Sequence, residues 1–139
     1  IALETYTKKI QIESRVMGDL AVNHIIPTAL KYQNLLIQNV EGLKDIFGAS
    51  EFKKLAETQT KMIMEISERV SAIKDNVDKM VNERKKANKL DNGKKQAVAY
   101  CEQVKPYFDV IRENVDKLEL LVDDEAWPLP KYRELLFTK

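Results

Sequence analysis

Between Ser50 and Leu90, the apolar residues Phe52, Leu55, Met62, Ile66, Val70, Ile73, Val77, Met80 and Ala87 recur at alternating spacings of three and four, with Gln59 and Arg84 filling the two gaps. A chain brings such a series onto one side only by winding at about 3.6 residues per turn, and the rhythm comes near that of a coiled-coil seam. The spacing therefore predicts one helix over this stretch, about 60 Å long at about 1.5 Å per residue. Its start is marked by Gly48, expected to close the preceding helix in the left-handed conformation, by Ser50 as a cap, and by Glu51 at the positive end of the helix dipole. Its end is marked by Arg84, Lys85, Lys86 and Lys89, followed by the turn signal Asp91-Asn92-Gly93.

A second stripe follows from about Lys94: Ala97, Cys101, Val104, Phe108, Ile111, Val115, Leu118 and Val122. A short turn between two amphipathic helices makes them antiparallel neighbours, stripe against stripe. Pro106 lacks the N–H its turn requires and crowds the turn before it, so a bend is expected near Glu102 to Val104. In the first third, Leu3, Tyr6, Ile10, Ile12, Val16, Met17 and Leu20 share one broad arc, while Ile25, Ala29, Tyr32, Leu36, Val40, Leu43 and Phe47 fall on a roughly opposite one. The apolar side changes near Pro27, where the helix either breaks or continues with a kink. The second half is the natural third member of a bundle; the first half, its arc turned away, needs a partner from outside the chain.

The segment from Trp127 to Phe137 reads as an extended strap, Trp127-Pro128-Leu129-Pro130, followed by a short helical turn with Pro130 at its first position. Trp127, Tyr132, Leu135, Leu136 and Phe137 carry too much apolar surface for a free end, so this segment is expected to dock along the bundle or onto a neighbour. The expected fold is all-α: an up-and-down bundle of three long helices with a Pro-kinked N-terminal extension and a C-terminal aromatic strap. It forms a single domain over 1–139, with the extension at 1–26, the bundle at 27–122 and the strap at 123–139.

Composition agrees, since 44% hydrophobic and 32% charged residues with only 4 Gly and 4 Pro suit long amphipathic helices. Basic and acidic residues number 23 and 22, and the net charge of +1 creates no global field toward nucleic acid or anionic lipid. No run approaches the roughly 18 apolar residues of a membrane span, and no signal peptide opens the chain, so a soluble, cytoplasmic protein is expected. A single cysteine excludes an internal disulfide framework. The chain opens on Ile1 rather than Met, in residues that already read as helix interior, so more polypeptide is expected upstream.

Residues able to do chemistry are sparse. His24 is the sole histidine, which removes histidine-pair zinc sites and leaves a structural place beside Pro27 as the simpler reading. Cys101 is expected in the core, where a thiol behaves as a small hydrophobe. Asp123, Asp124 and Glu125 lack the spaced ligands and turn glycine of a calcium loop and read as a solvated helix end. Glycines at 18, 42, 48 and 93 cannot make a phosphate loop. The Met62-Ile63-Met64 group could line a groove, although core packing accounts for it. The basic tip formed by Arg84, Lys85, Lys86, Lys89, Lys94 and Lys95 could meet phosphate, but no aromatics are interleaved for base stacking, and cations suit a helix C-terminus anyway.

The strings IQIESRVMGDLAVNHIIPTALKYQN from Ile10 to Asn34, KKANKL, and AYCEQVKPYFDVIRENVDKLELLVDDEAWPLPKYRELLF from Ala99 to Phe137 resemble the C-terminal region of bacterial type III glutamine synthetases. The resemblance implies a catalytic portion upstream of Ile1 that makes glutamine from glutamate, ammonia and ATP with Mg or Mn. None of that family's metal, nucleotide or glutamate motifs matches a position here, so no catalytic, cofactor-binding or metal residue is expected in this chain. It further implies a large homo-oligomer of stacked rings in which this region is a non-catalytic structural or assembly domain. The partners would be the catalytic portion of the same polypeptide and neighbouring subunits. The expected interdomain contacts are Leu3, Tyr6, Ile10, Ile12, Val16, Met17, Leu20, Trp127, Tyr132 and Phe137. Two alternatives stand beside this: a free-standing scaffold or adaptor that binds a partner helix through the Leu3–Leu20 face, and a phosphate or nucleic-acid binder working through the basic tip.

Overall fold

The computed structural model describes residues 2–122, all of whose elements are helical. They are α1 (Ala2–Leu20), α2 (Ile26–Ile46), α3 (Ala49–Leu55), α4 (Glu57–Asn88), α5 (Gly93–Ala99) and α6 (Pro106–Leu121). Two π-helical turns, Ala21–Ile25 and Tyr100–Val104, join α1 to α2 and α5 to α6. The strap expected at 123–139 lies outside the described residues.

The central element is α4, and polar cross-links fix the direction of what lies along it. The Gln11 side-chain amide donates to Asn88 Oδ1 at 3.4 Å, that of Gln33 to the Ile63 carbonyl at 2.9 Å and Ser67 Oγ at 2.7 Å, and that of Gln59 to Asn39 Oδ1 at 2.9 Å. Numbers rise along one rod as they fall along the other, so α1 and α2 together run antiparallel to α4. On its other side the Tyr100 hydroxyl donates to Asn88 Oδ1 and Arg69 Nη1 donates to Asn114 Oδ1 at 3.1 Å, which sets α5 and α6 antiparallel to α4 as well. Between these rods lie Ile66, Ile73, Val77, Met80 and Ala87 of α4, against Ile10, Ala21, Ile25 and Ala29 on one side and Tyr100, Val104, Ile111 and Leu118 on the other. Burial of these side chains is the main stabilising term, at about 1.5–3 kcal/mol for each large one.

The two prolines among the described residues are accommodated in the same way. The Ile26 N–H donates to the Ala21 carbonyl and the Lys105 N–H to the Tyr100 carbonyl at 2.9 Å, each reaching back five residues instead of four. A proline one residue further on, Pro27 or Pro106, has no N–H to give and its ring crowds the carbonyl four back; a wider turn accommodates that ring and keeps the rod continuous. The rod therefore passes through Pro27 unbroken. Thr28 Oγ1 donates to the His24 carbonyl at 2.8 Å within the first of these turns.

Several expectations are corrected. Gly48 has φ −70° and ψ 164°, so it is extended rather than left-handed, and it occupies the cap position of α3, where no side chain caps. Ser50 lies inside α3. The long helix is divided at Ala56, whose φ of −95° and ψ of 0° close α3 before α4 begins. Asn92 is the side-chain cap observed: its Oδ1 accepts from the Lys94 and Lys95 N–H groups at 2.9 and 3.1 Å. Cys101 is exposed, and Tyr100 takes the core position, three residues after Ala97 and four before Val104.

The largest correction concerns α1, which finds partners within the chain in α5, the second π turn and α4. It does so through Thr7, Ile10, Ser14 and, after Gly18, Ala21, a face of mostly small or polar residues. Small side chains let two helices approach closely, so this face is buried even though it is the less apolar one. Ser14 Oγ donates to the Gln11 carbonyl at 2.8 Å, which satisfies its hydroxyl locally.

Two outcomes follow from this packing. A Cβ at Gly18 would meet Val77 Cγ1 at 3.6 Å and Met80 Cε at 3.9 Å, ordinary van der Waals distances. Gly18→Ala is therefore expected to stabilise the chain by about 0.5–1 kcal/mol by removing a helix-interior glycine, measured as a shift of the urea midpoint. Burial pushes the Tyr100 phenol above its ordinary value, outweighing the opposite pull of Arg84 and Arg15. A raised folded-state value means stability that is complete below the ordinary phenol value of about 10 and is lost as pH rises past it. Tyr100→Phe should cost about 1 kcal/mol at neutral pH yet lose less further stability than the parent above about pH 10, as read from urea midpoints at each pH.

Candidate functional site: an apolar trough between two helices

Because α1 packs mainly on α5 and the second π turn while α6 packs mainly on α4, a trough opens between α1 and α6. One wall is Ile12, Val16, Met17 and Leu20 of α1, and the other is Val115 of α6. Ala21, Ile25 and Ile111, themselves core residues, form the floor. The cavity is about 600 Å³ and its rim carries Glu13, Asp116 and Glu119 against a single cation, Arg112. The surface is apolar inside and net acidic at its edge.

The residues expected at an interdomain contact divide into three groups. Leu3, Ile12 and Val16 are 48%, 61% and 53% exposed. Tyr6 and Met17 are half-buried against the chain's own core, Leu20 is half-buried in the trough wall, and Ile10 is 3% exposed and belongs to the core outright. Trp127, Tyr132 and Phe137 lie outside the described residues. The α6 wall was not foreseen as part of any surface. Its signal was indirect: Ser14, Gly18 and Ala21 mark the close-approach side of α1, and the broad apolar arc then has to face something other than α4.

The remaining candidates are built into the scaffold. His24 is exposed in the first π turn, its Nε2 3.9 Å from the Asp19 carboxylate. The thiol of Cys101 meets the Tyr6 hydroxyl, and that hydrogen bond, with burial second, holds the Tyr6 phenol above its ordinary value. The basic tip is gathered around the α4–α5 turn, where Lys86 Nζ pairs with Glu83 at 3.4 Å and Arg84 lies near Tyr100. Met62 and Ile63 are half-buried and Met64 is exposed. Among the described residues no three His, Cys, Asp or Glu side chains gather closely enough to hold a metal ion. No described helix is long and apolar enough to cross a membrane.

Residues 1–44 match the family model described as the glutamine synthetase C-terminal domain. Over all 139 residues the chain is 54% identical to a glutamine synthetase of Bacteroides fragilis (strain YCH46) and 25% identical to the type-3 glutamine synthetase of Dictyostelium discoideum. It spans 19% of the length of each of these relatives. The matched 1–44 covers α1, the first π turn and nearly all of α2, the rod that supplies one wall of the trough. These similarities place the chain with the C-terminal region of the glutamine synthetase family.

Proposed function

We propose that this chain is a non-catalytic structural and assembly domain of a type III glutamine synthetase. In this reading the remainder of the polypeptide carries the ATP- and Mg- or Mn-dependent ligation of ammonia to glutamate, and the helical domain helps hold that portion and neighbouring subunits of a large homo-oligomer in place. The observation that carries the proposal is the pair Ile12 and Val16, one turn apart on α1 and left exposed on the side of the helix away from its buried residues Thr7, Ile10 and Ser14. Exposed apolar side chains at this density mark a surface that is covered in the complete protein. Support also comes from similarity along the full chain to proteins of which it spans only 19%. Tyr132 and Phe137 would add to the same contact. The up-and-down three-rod bundle over 27–122, with the extension and strap as its appendages, is the frame that presents this surface.

The packing of α1 separates two kinds of substitution. Ile10→Asp places a carboxylate in the chain's own core and should unfold the isolated chain, at a cost of several kcal/mol. Leu3→Asp and Ile12→Asp should leave the chain's melting within about 0.5 kcal/mol of the parent. In the complete enzyme the same two changes should shift size-exclusion and light-scattering profiles toward smaller species. Equal damage to the chain's own stability and to the assembly would contradict the reading. The isolated chain should also form no glutamine from glutamate, ammonia and ATP, and turnover by the pure chain would refute a purely structural role.

A further inference from the structure

A cavity separate from the trough, about 430 Å³ in volume, lies along the seam between α1 and α4 and is lined largely by charged and polar side chains. Its charges are unevenly compensated. The Asp78 carboxylate accepts from Lys74 Nζ at 2.7 Å; that of Asp19 accepts from Asn23 Nδ2 at 2.6 Å and lies 3.9 Å from His24 Nε2. Arg15 and Arg84, which line the same cavity, form no ion pair with any described carboxylate. We propose that Arg15 and Arg84 clamp the phosphate group of a small phosphorylated molecule seated in this cavity. This goes beyond the assembly role and does not depend on it.

The register of the two helices brings the cations together. The Gln11 amide donates to Asn88 Oδ1 at 3.4 Å, and one turn further along the seam from these residues come Arg15 on α1 and Arg84 on α4. Arg84 is half-buried, and both guanidinium groups act on the buried Tyr100 phenol, which places them near one hydroxyl. Like charges facing each other across a seam repel unless an anion joins them. The chemistry selects that anion. Each guanidinium offers a planar fork of parallel N–H donors; a tetrahedral phosphate has edges for both forks at once, whereas a carboxylate has one. A phosphate monoester also carries close to two negative charges at neutral pH, matching the two cations. The cavity has the size of a small-molecule pocket rather than of a bare ion, and Val77 and Val81 give it an apolar wall for the organic part of the ligand.

Urea unfolding of the 139-residue chain at pH 7.5 and constant ionic strength tests this, with inorganic phosphate and phenyl phosphate as probes, because a ligand that binds only the folded state raises the midpoint. Both probes should raise it saturably, phenyl phosphate at lower concentration, and acetate should leave it unchanged. Arg15→Gln and Arg84→Gln should each weaken the apparent affinity about tenfold or more. Should either not fold, Arg15→Lys and Arg84→Lys keep the charge but lose the fork, and a several-fold weakening is expected. Lys85→Gln and Lys89→Gln, on the basic tip, should bind as the parent does. No saturable rise with either probe, an equal rise with acetate, or affinity retained in the Arg variants overturns the proposal. Affinity lost with the tip lysines also overturns it, by assigning the binding to a diffuse basic patch. None of these outcomes bears on the assembly role, which is read from the size of the complete enzyme.

Discussion

Everything in this molecule depends on one helix being greasy enough to serve two neighbours at once. Ile66, Ile73 and Met80 are essentially removed from water because α4 is flanked by the α1–α2 rod on one side and by α5–α6 on the other. Rods arranged around a shared axis do not automatically close against each other. Those on either side of α4 both line the trough between them, Ala21 and Ile25 from one rod and Ile111 from the other. The trough is thus a geometric result of making α4 the common partner.

Which side of α1 goes inward is decided by volume as much as by polarity. Ser14, Gly18 and Ala21 keep the distance to α4 short, so Val77 and Met80 fill the space that a larger side chain would otherwise need. The bulkier Ile12 and Val16 would hold the helices apart on that face and are displaced to the outside. The dispersion contacts of that close approach accompany the loss of the apolar area those two could have buried. The chain thereby leaves an apolar strip outward as a consequence of packing well inward.

Much of the helical architecture is legible in residue order alone. The α4 stripe from Ile66 to Ala87 and the α6 stripe from Val104 to Leu118 fall at core positions because three-and-four spacing is a strong signal over many turns. A disturbance of the helical hydrogen bonds ahead of Pro106 is legible from the missing N–H, and the structure meets it with a π turn. Other features obey weaker rules. The choice of Tyr100 over Cys101 cannot be read from spacing, since three-then-four and four-then-three both fit between Ala97 and Val104, and the break at Ala56 rests on the conformation of one residue with no Gly or Pro to announce it. Gly48 invites a left-handed reading but is extended, because the short link from α2 into α3 needs no reversal of hand there. For the trough, Ile12, Val16 and Leu20 stand out as an apolar arc in the sequence, whereas the opposite wall on α6 emerges only once the two rods are set at their distances from α4.

The π turn at Ala21–Ile25 has a mechanical meaning as well as a steric one. Because the Ile26 N–H closes onto the Ala21 carbonyl, the backbone from Ala2 to Ile46 has no joint in it, only a local change of pitch. Such a shaft measures about 65 Å along its axis. Leu3 near one end and Ile46 at the other are thus joined by helix alone, with Pro27 accommodated rather than breaking the rod.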